Sequence, residues 1–239
     1  MARQESSIEN LKSKMYSKDP TKITEDSFEM IRRELREDHG LVFESPVAEV
    51  IERMVHSTAD FDFGKITVID DAAVNAGVEA LRKGCAVVCD VNMIRVGVSS
   101  RNIEKLSGSL HCFVNDEAVR AKAAELGNTR SAAGIHLAHE RGLLDGGIVV
   151  VGNAPTALYA IIELIEAGVK PALVVGVPVG FISAIESKDD LLDRVKAHPQ
   201  VGVPMIVTKG RKGGSPVAVS IVNALLRFAV DGSHTQAEP

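Results

Sequence analysis

Short runs of apolar residues alternate along the chain with segments in which apolar positions recur at helical spacing. Polar side chains do not interrupt the runs at residues 86–89, 148–151 and 173–177. Such runs are typical of strands buried on both faces of a parallel sheet. The intervening segments repeat apolar residues every three or four positions, which indicates amphipathic helices. This alternation predicts an α/β fold, with a mainly parallel sheet covered by helices on both faces as a Rossmann-like three-layer sandwich.

The same pattern predicts where the individual elements lie. Two helices come first, at residues 20–36 and 46–55, the second with Pro46 in its first turn and Ser45 as its cap. The predicted strands cover residues 65–69, 86–89, 109–114, 148–151, 173–177 and 205–207. The remaining predicted helices cover residues 72–82, 116–126, 131–141, a segment from Pro155, 188–195 and 216–230. The predicted organisation is a flexible arm at residues 1–20, one domain at 21–230 and a disordered tail at 231–239.

Composition and charge exclude several classes of function. The chain has 239 residues, 45% of them hydrophobic and 25% charged, as in an ordinary globular protein with a sizeable core. A net charge of −5 gives no support to a nucleic-acid partner. The longest uncharged runs, residues 146–162 and 171–185, are broken by glycine and proline and are shorter than the roughly 20 residues of a membrane helix. The polar N-terminal segment lacks the apolar core of a secretory signal, so a cytoplasmic location is expected.

Cysteine and histidine spacing gives no sign of a metal site. Cys85, Cys89 and Cys112 are an odd number of thiols in apolar surroundings, which predicts reduced, buried, structural cysteines. Cys85 and Cys89 flank a predicted strand that separates them by roughly 13 Å, too far to share one ion. His136 and His139 are three positions apart on a predicted helix, but no carboxylate or thiol follows at ligand spacing.

The most distinctive chemistry along the chain lies at His56, within residues 53–63. Imidazole is the side chain whose unperturbed charge changes between pH 5 and 8, so it can accept and donate protons near neutral pH. If this stretch is extended, positions 56, 58, 60 and 62 point to one side, and Asp60 then orients the His56 ring. The alternative is a histidine with a purely structural role.

Three predicted strands end in turns rich in glycine or proline that lead into helices, at residues 152–155, 176–181 and 208–216. Free amides at the start of a helix bind anions, and the carboxyl ends of parallel strands lie at one edge of a sheet. We therefore expect the three turns to share one pocket for an anionic ligand. None has the order of a phosphate-binding or dinucleotide-binding loop, so ATP and dinucleotides are not supported.

Seven blocks of the chain resemble, in order, the precorrin-8X and cobalt-precorrin-8 methylmutases. They are residues 53–60, 89–93, 129–133, 152–158, 178–181, 186–188 and 213–215, and the similarity extends from about residue 20 to about residue 230. The resemblance implies an isomerase of cobalamin biosynthesis that moves a methyl group from C-11 to C-12 of a corrin ring, giving cobyrinate or hydrogenobyrinate. It also implies an α/β homodimer with its pocket near the interface, no added cofactor and His56 as the proton donor and acceptor.

The substrate of that family carries acetate and propionate arms, which suit helix N-termini and cationic side chains. The residues expected to bind it are Thr58, Met93, Arg95, Arg130, Ser131, Asn153, Ala154, Pro155, Thr156, Gly180, Glu186, Ser187, Lys188, Gly213, Gly214 and Ser215. Residues 57–63 look more like the anaerobic branch of the family, so cobalt-precorrin-8 is the favoured substrate. Any cobalt would then arrive inside the substrate.

Two other functions stay open at this point. A non-catalytic tetrapyrrole carrier would have the same pocket but no need of His56. A doubly wound oxidoreductase would bind a nicotinamide or a flavin, for which the chain lacks the fingerprint.

Overall fold

A computed structural model describes residues 19–196 and 202–231 of the chain. They belong to two compact units, one ending at Val42 and the other starting at Phe43. The first contains helix α1 (Pro20–Glu37), which is capped because the Asp19 carboxylate accepts a hydrogen bond from the Thr21 amide at 2.9 Å. Residues 1–18 of the predicted arm and 232–239 of the predicted tail lie outside the described residues. The predicted domain limits stay predictions.

The second unit alternates strands and helices as the apolar pattern predicts. Its strands are β1 (Thr67–Ile69), β2 (Ala86–Cys89), β3 (Ser109–His111), β4 (Ile148–Val151), β5 (Leu173–Gly176) and β6 (Met205–Thr208). Its helices are α2 (Val47–Thr58), α3 (Asp62–Ile66), α4 (Ala73–Arg82), α5 (Asn92–Gly97), α6 (Ser100–Lys105), α7 (Glu117–Glu125), α8 (Arg130–Glu140), α9 (Pro155–Glu166), α10 (Ala184–Lys196) and α11 (Ser215–Asp231). The predicted α/β class is confirmed.

The strands form one sheet in the order β1-β6-β5-β4-β2-β3. Neighbouring strands are parallel except for β1 and β6, which are antiparallel with Thr67 opposite Thr208. Strands β4, β5 and β6 are buried at every position, as expected for strands covered on both faces. The chain passes from β2 to the edge strand β3 and then returns to β4 on the other side of β2. The carboxyl ends of β2 and β4 therefore form a topological switch point, where α/β proteins commonly bind ligands.

Helices cover both faces of the sheet and complete a three-layer sandwich. In one layer α11 packs against α2, α4, α5 and α6. In the other layer α8 and α10 pack against α9, and α7 packs against α8. Helix α4 lies close to the sheet at Gly77. A methyl group added there would press on the side chains of Leu173 and Leu225. The predicted architecture is confirmed.

The start of α2 differs from the prediction. The helix begins at Val47 with Pro46 as its N-cap residue, and no side chain caps its first amides. The Ser45 hydroxyl instead donates to the Glu49 carboxylate at 2.8 Å, one turn further along. Predicting Ser45 as the cap and Pro46 in the first turn was therefore wrong.

Three short helices, α3, α5 and α6, were not predicted. They have five or six residues, too few to repeat an apolar position at helical spacing. Helix α3 also takes the first residues of the strand predicted from residue 65, which begins at Thr67. The strand predicted to reach residue 114 ends at His111.

Candidate active site

The carboxyl ends of strands β2 to β6 lie along one edge of the sheet because these strands are parallel. The segment that carries His56 reaches the same edge, since β1 is antiparallel and starts at Thr67, opposite the last residue of β6. The Lys209 amide donates to the Ile66 carbonyl at 2.7 Å and joins the two segments. This edge is the candidate active site.

His56 lies in the last turn of α2, and its side chain is exposed. The helix ends at Thr58, and Ala59 follows with a left-handed backbone at φ 53°. The prediction that His56 to Asp62 form an extended stretch is therefore wrong, and with it the reason for aiming Asp60 at the imidazole. The Thr58 hydroxyl, a predicted substrate contact, donates back to the Met54 carbonyl at 2.8 Å.

The carboxylates of Asp60 and Asp62 both bind the Lys212 ammonium. The Lys212 ammonium, from the loop between β6 and α11, donates to Asp60 at 2.6 Å and to Asp62 at 2.7 Å. These two bonds raise the pKa of Lys212 above its ordinary value. This cation of the turn at residues 208–216 therefore balances carboxylates of the chain itself.

Asp90 lies against three backbone amides of the turn after β4. Its carboxylate, only 3% exposed, accepts hydrogen bonds from the amides of Gly152, Asn153 and Ala154 at 3.1, 2.9 and 2.7 Å. Burial raises the pKa of Asp90, and the amide bonds oppose part of that rise. The amides of residues 152–154 therefore bind an anion that the chain itself supplies at the switch point. The anion site predicted at the amides that follow Pro155 stays a prediction.

Lys188 is fully buried, and its ammonium joins two of the turns. It donates to the carbonyls of Pro178 and Lys212 at 3.0 and 3.1 Å. Its neighbour Ser187 is also fully buried, with its hydroxyl directed to the Ala184 carbonyl. The expected contact of these two side chains with substrate carboxylates is therefore not what the geometry offers. Lys188 holds the turns in place from the inside, and Ser187 bonds within its own helix.

Lys188 gives the stability of the protein a specific pH dependence. Burial lowers the pKa of Lys188 from 10.5 to about 8, against a smaller opposing effect of Asp189. The folded chain then binds fewer protons than the unfolded chain between these values, so the free energy of unfolding is expected to gain a contribution as pH rises. That gain is about 2 kcal/mol between about pH 7 and about pH 9.5, measured by urea unfolding as the difference between the wild type and Lys188→Met. Identical pH profiles of the two proteins would contradict it.

Gly213 makes the close approach between the second and third turns possible. A methyl group on Gly213 would overlap the Val177 carbonyl oxygen, and the Gly214 amide donates to that same oxygen at 2.8 Å. The Gly180 amide donates to the Arg211 carbonyl at 3.2 Å. The backbones of the second and third turns are therefore in direct contact at one edge of the sheet, as expected.

Exposure separates the predicted site residues into three groups. Those with exposed side chains are His56, Met93, Arg95, Arg130, Asn153 and Glu186. The half-buried ones are Thr58, Ala154, Pro155, Thr156, Gly180 and Gly213. The buried ones are Ser131, Ser187, Lys188, Gly214 and Ser215. Members of the first two groups are available to a ligand.

The N-termini of α8 and α9 lie side by side at this edge. The Thr129 and Thr156 hydroxyls form a hydrogen bond at 2.7 Å, and the Thr129 hydroxyl also accepts from the Ala132 amide. This contact brings Arg130, the first residue of α8, next to the turn that holds Asp90.

Sequence reasoning did not assign Asp90 and Lys212 to the site. For Asp90 the available signal is a charged residue directly after a fully apolar strand, where its burial needs partners. For Lys212 there is no local signal, because its partner Asp60 lies 152 positions away in the sequence.

Large apolar side chains are exposed on helix α5, which follows β2, and on the loop that follows β5. Met93 and Val96 are 67% and 80% exposed, and Phe181 and Ile182 are 84% and 85% exposed. The Arg211 guanidinium lies over the Phe181 ring at 5.4 Å from its centre. Apolar surface flanked by arginine suits a large flat ligand with charged substituents.

A cleft of about 370 Å³ opens beside helix α5. It is lined by Arg95, Val96, Val98, Ser100, Ile103, Glu104, Gly108, Ser109 and Leu110. Arg95 therefore connects the candidate site to this cleft, whereas His56 does not line it.

The cysteines and histidines do not assemble into a metal site within the described part of the chain. All three cysteines are free, but only Cys89 is buried, and Cys85 and Cys112 are half-buried. Burial raises the pKa of Cys85 to about 11 and also raises that of Cys89 and Cys112, which keeps these thiols protonated.

Among the described residues, no helix has the length and apolar character needed to cross a membrane.

Comparisons with known proteins agree with the seven sequence blocks. The precorrin-8X methylmutase family model matches residues 22–228. A cobalt-precorrin-8 methylmutase from Leptospira interrogans is 46% identical over 179 residues, covering 74% of this chain and 81% of that protein. A precorrin-8X methylmutase from Pseudomonas aeruginosa is 39% identical over 216 residues, covering 88% and 96%. The crystal structure of the Thermus thermophilus precorrin-8x methyl mutase aligns with a TM-score of 0.79 at 37% identity, covering 91% of this chain and 100% of that chain. The chain belongs to the precorrin-8X methylmutase family.

Proposed function

We propose that this chain moves a methyl group from C-11 to C-12 of a corrin ring in cobalamin biosynthesis, with His56 as the proton donor and acceptor. The favoured substrate is cobalt-precorrin-8, and the product is then cobyrinate. Any cobalt belongs to the substrate, and the reaction is an isomerisation without an added cofactor.

The position of His56 is the observation that carries this proposal. The imidazole is exposed in the last turn of α2, at the edge of the sheet where the loops after β2, β4, β5 and β6 end. An exposed imidazole at this edge can contact a ring nitrogen of a bound macrocycle. This exposure argues against a role in packing the core.

The proposed chemistry needs a proton and a polarised ring, but no nucleophile. A methyl group that migrates between neighbouring ring carbons leaves with its bonding electrons and stays within the molecule. Protonation of the adjacent ring nitrogen by His56 draws electron density toward that ring and lowers the barrier. His56 takes the proton back when the product forms, so the catalyst is unchanged and atoms balance.

The proposed substrate contacts are the available members of the predicted set. Arg95 and Arg130 are exposed and present guanidinium groups that pair with carboxylate arms. Met93 contributes apolar surface, and Asn153 and Thr156 offer polar groups beside the switch point. The other available residues in this proposal are Thr58, Ala154, Pro155, Gly180, Glu186 and Gly213. Among the buried members of the set, Lys188 and Gly214 bind the backbone of neighbouring turns.

We further propose that the enzyme is a homodimer and acts in the cytoplasm. The exposed Met93, Val96, Phe181 and Ile182 give apolar surface for a ligand or a second copy to cover. Three free, protonated thiols are consistent with a reducing compartment. Sedimentation equilibrium is expected to give twice the mass of the chain, and a monomer at assay concentration would contradict the dimer.

The choice between the two substrates is tested by giving the purified protein each in turn. The cobalt-loaded precursor is expected to be converted with a higher kcat/KM than the metal-free precursor, followed by the change in absorption as conjugation in the ring changes. A preference for the metal-free precursor would overturn the cobalt assignment but not the isomerase.

A further inference from the structure

We infer that Lys212 is a positioning residue for His56, because its ammonium binds Asp60 and Asp62 and holds the turn after the histidine against the loop between β6 and α11. This inference rests on the proposed function, since it assigns Lys212 a place in the same reaction. Lys212 acts through the turn and is not itself proposed to touch the substrate.

The backbone of Lys212 is fixed from the protein interior. Its carbonyl accepts hydrogen bonds from the Thr208 hydroxyl at 3.0 Å and from the Lys188 ammonium at 3.1 Å. Both donors belong to residues with no exposed surface. The lysine side chain therefore starts from an anchored point, and less conformational freedom is lost when it binds the two carboxylates.

The turn that Lys212 holds is a short hydrogen-bonded unit attached to the histidine. The Asp60 amide donates to the Thr58 hydroxyl at 3.3 Å, and the Asp62 amide donates to the Asp60 carboxylate at 3.0 Å. Ala59 closes the helix between them with its amide on the Val55 carbonyl at 2.7 Å. Because so few bonds separate Asp60 from His56, a shift of the carboxylates shifts the end of α2 and its imidazole.

The exposure of the three side chains indicates whether this cluster affects the stability of the protein or the rate of the reaction. Lys212, Asp60 and Asp62 are 46%, 31% and 54% exposed. Exposed ion pairs contribute little to stability. Catalysis is far more sensitive to geometry, because a displacement of about 1 Å can cost about 100-fold in rate. The cluster is therefore expected to change the rate and leave stability almost unchanged.

The test compares Lys212→Met and Lys212→Arg in the full-length protein. We expect Lys212→Met to lower kcat by about 10- to 100-fold with KM within about twofold of the wild type. Its midpoint of thermal unfolding should stay within about 2 °C. Lys212→Arg retains the charge and should recover most of the lost kcat. The control is Lys65→Met, which removes an exposed lysine from α3 in the same segment and should leave kcat unchanged.

The coupling of the cluster provides a second readout. Once Lys212 is methionine, adding Asp60→Asn and Asp62→Asn should cause no further loss of kcat, because the three groups act as one unit. Additive losses would overturn the inference.

Three further results would overturn it. They are an unchanged kcat of Lys212→Met, a raised KM at constant kcat, and a loss of kcat that follows a large drop in the unfolding midpoint. The second would mean that Lys212 binds the substrate directly. His56→Ala separates this failure from that of the proposed function. If His56→Ala is inactive and Lys212→Met is fully active, only the positioning role of Lys212 is refuted. If His56→Ala is fully active, the catalytic role of His56 and the positioning role of Lys212 are both refuted.

Discussion

Replacing His56 by alanine is expected to slow methyl migration by about 10²–10⁴-fold, the usual contribution of a positioned general acid. The affinity for the corrinoid product should change little, because the arms of the ring are held by other groups. Single-turnover kinetics gives the rate of the chemical step, and a titration followed by absorption gives the affinity. His56→Asn tests proton transfer more specifically, since it keeps a polar side chain that neither gains nor loses a proton near neutral pH.

A suitable control for the loss of imidazole is His139→Ala. His139 is exposed near the end of α8 and is not part of the candidate site. It should retain wild-type turnover. If His56→Ala converts substrate as fast as the wild type, His56 is not the proton donor. If both proteins bind the corrinoid and neither converts it, a carrier becomes the better description.

Replacing Asp90 by alanine is expected to lower the free energy of unfolding by about 3–5 kcal/mol. The substitution leaves the amides of Gly152, Asn153 and Ala154 without their acceptor, and each hydrogen bond to a buried charged group is worth about 1.5–3 kcal/mol. Part of this loss is recovered because the cost of burying the carboxylate disappears. For a chain of this size the loss corresponds to about 10 °C in the unfolding midpoint.

Urea unfolding and calorimetry of Asp90→Ala provide the measurement, with Asp71→Ala as the control. Asp71 is exposed just before α4, so its removal should stay within about 0.5 kcal/mol. Asp90→Asn retains one acceptor oxygen and should fall between the two. A loss below about 1 kcal/mol for Asp90→Ala would show that water or a rearranged turn satisfies the amides, and the turn after β4 would not depend on its internal anion.

The sequence predicted the sheet better than the short helices for a physical reason. The strands at residues 86–89 and 148–151 were predicted to the residue, because an uninterrupted apolar run bounded by polar residues leaves few alternatives. Helices α3, α5 and α6 are shorter than two turns, so their formation depends on packing against the rest of the fold and leaves no periodic trace. The antiparallel direction of β1 depends on its pairing with β6, far along the chain.

At the candidate site the sequence predicted which segments meet but not which groups face outward. The turns after β4, β5 and β6 do lie at one edge, because parallel strands place their carboxyl ends together. The same residues did not show that Lys188 is turned inward or that Asp90 occupies the amides of residues 152–154. These partners are distant in sequence. A charged residue gives the same local sequence signal whether it binds a ligand or another residue of the chain.

The most direct measurement follows the methyl carbon itself. The corrin precursor is labelled with ¹³C at the C-11 methyl group, incubated with the wild type and with His56→Ala, and examined by NMR. The wild type should give a product with the label on C-12 and no label released to solvent, while His56→Ala leaves it on C-11 over the same time. A label that stays on C-11 with the wild type, or that moves equally fast with His56→Ala, would contradict a methyl shift driven by this histidine.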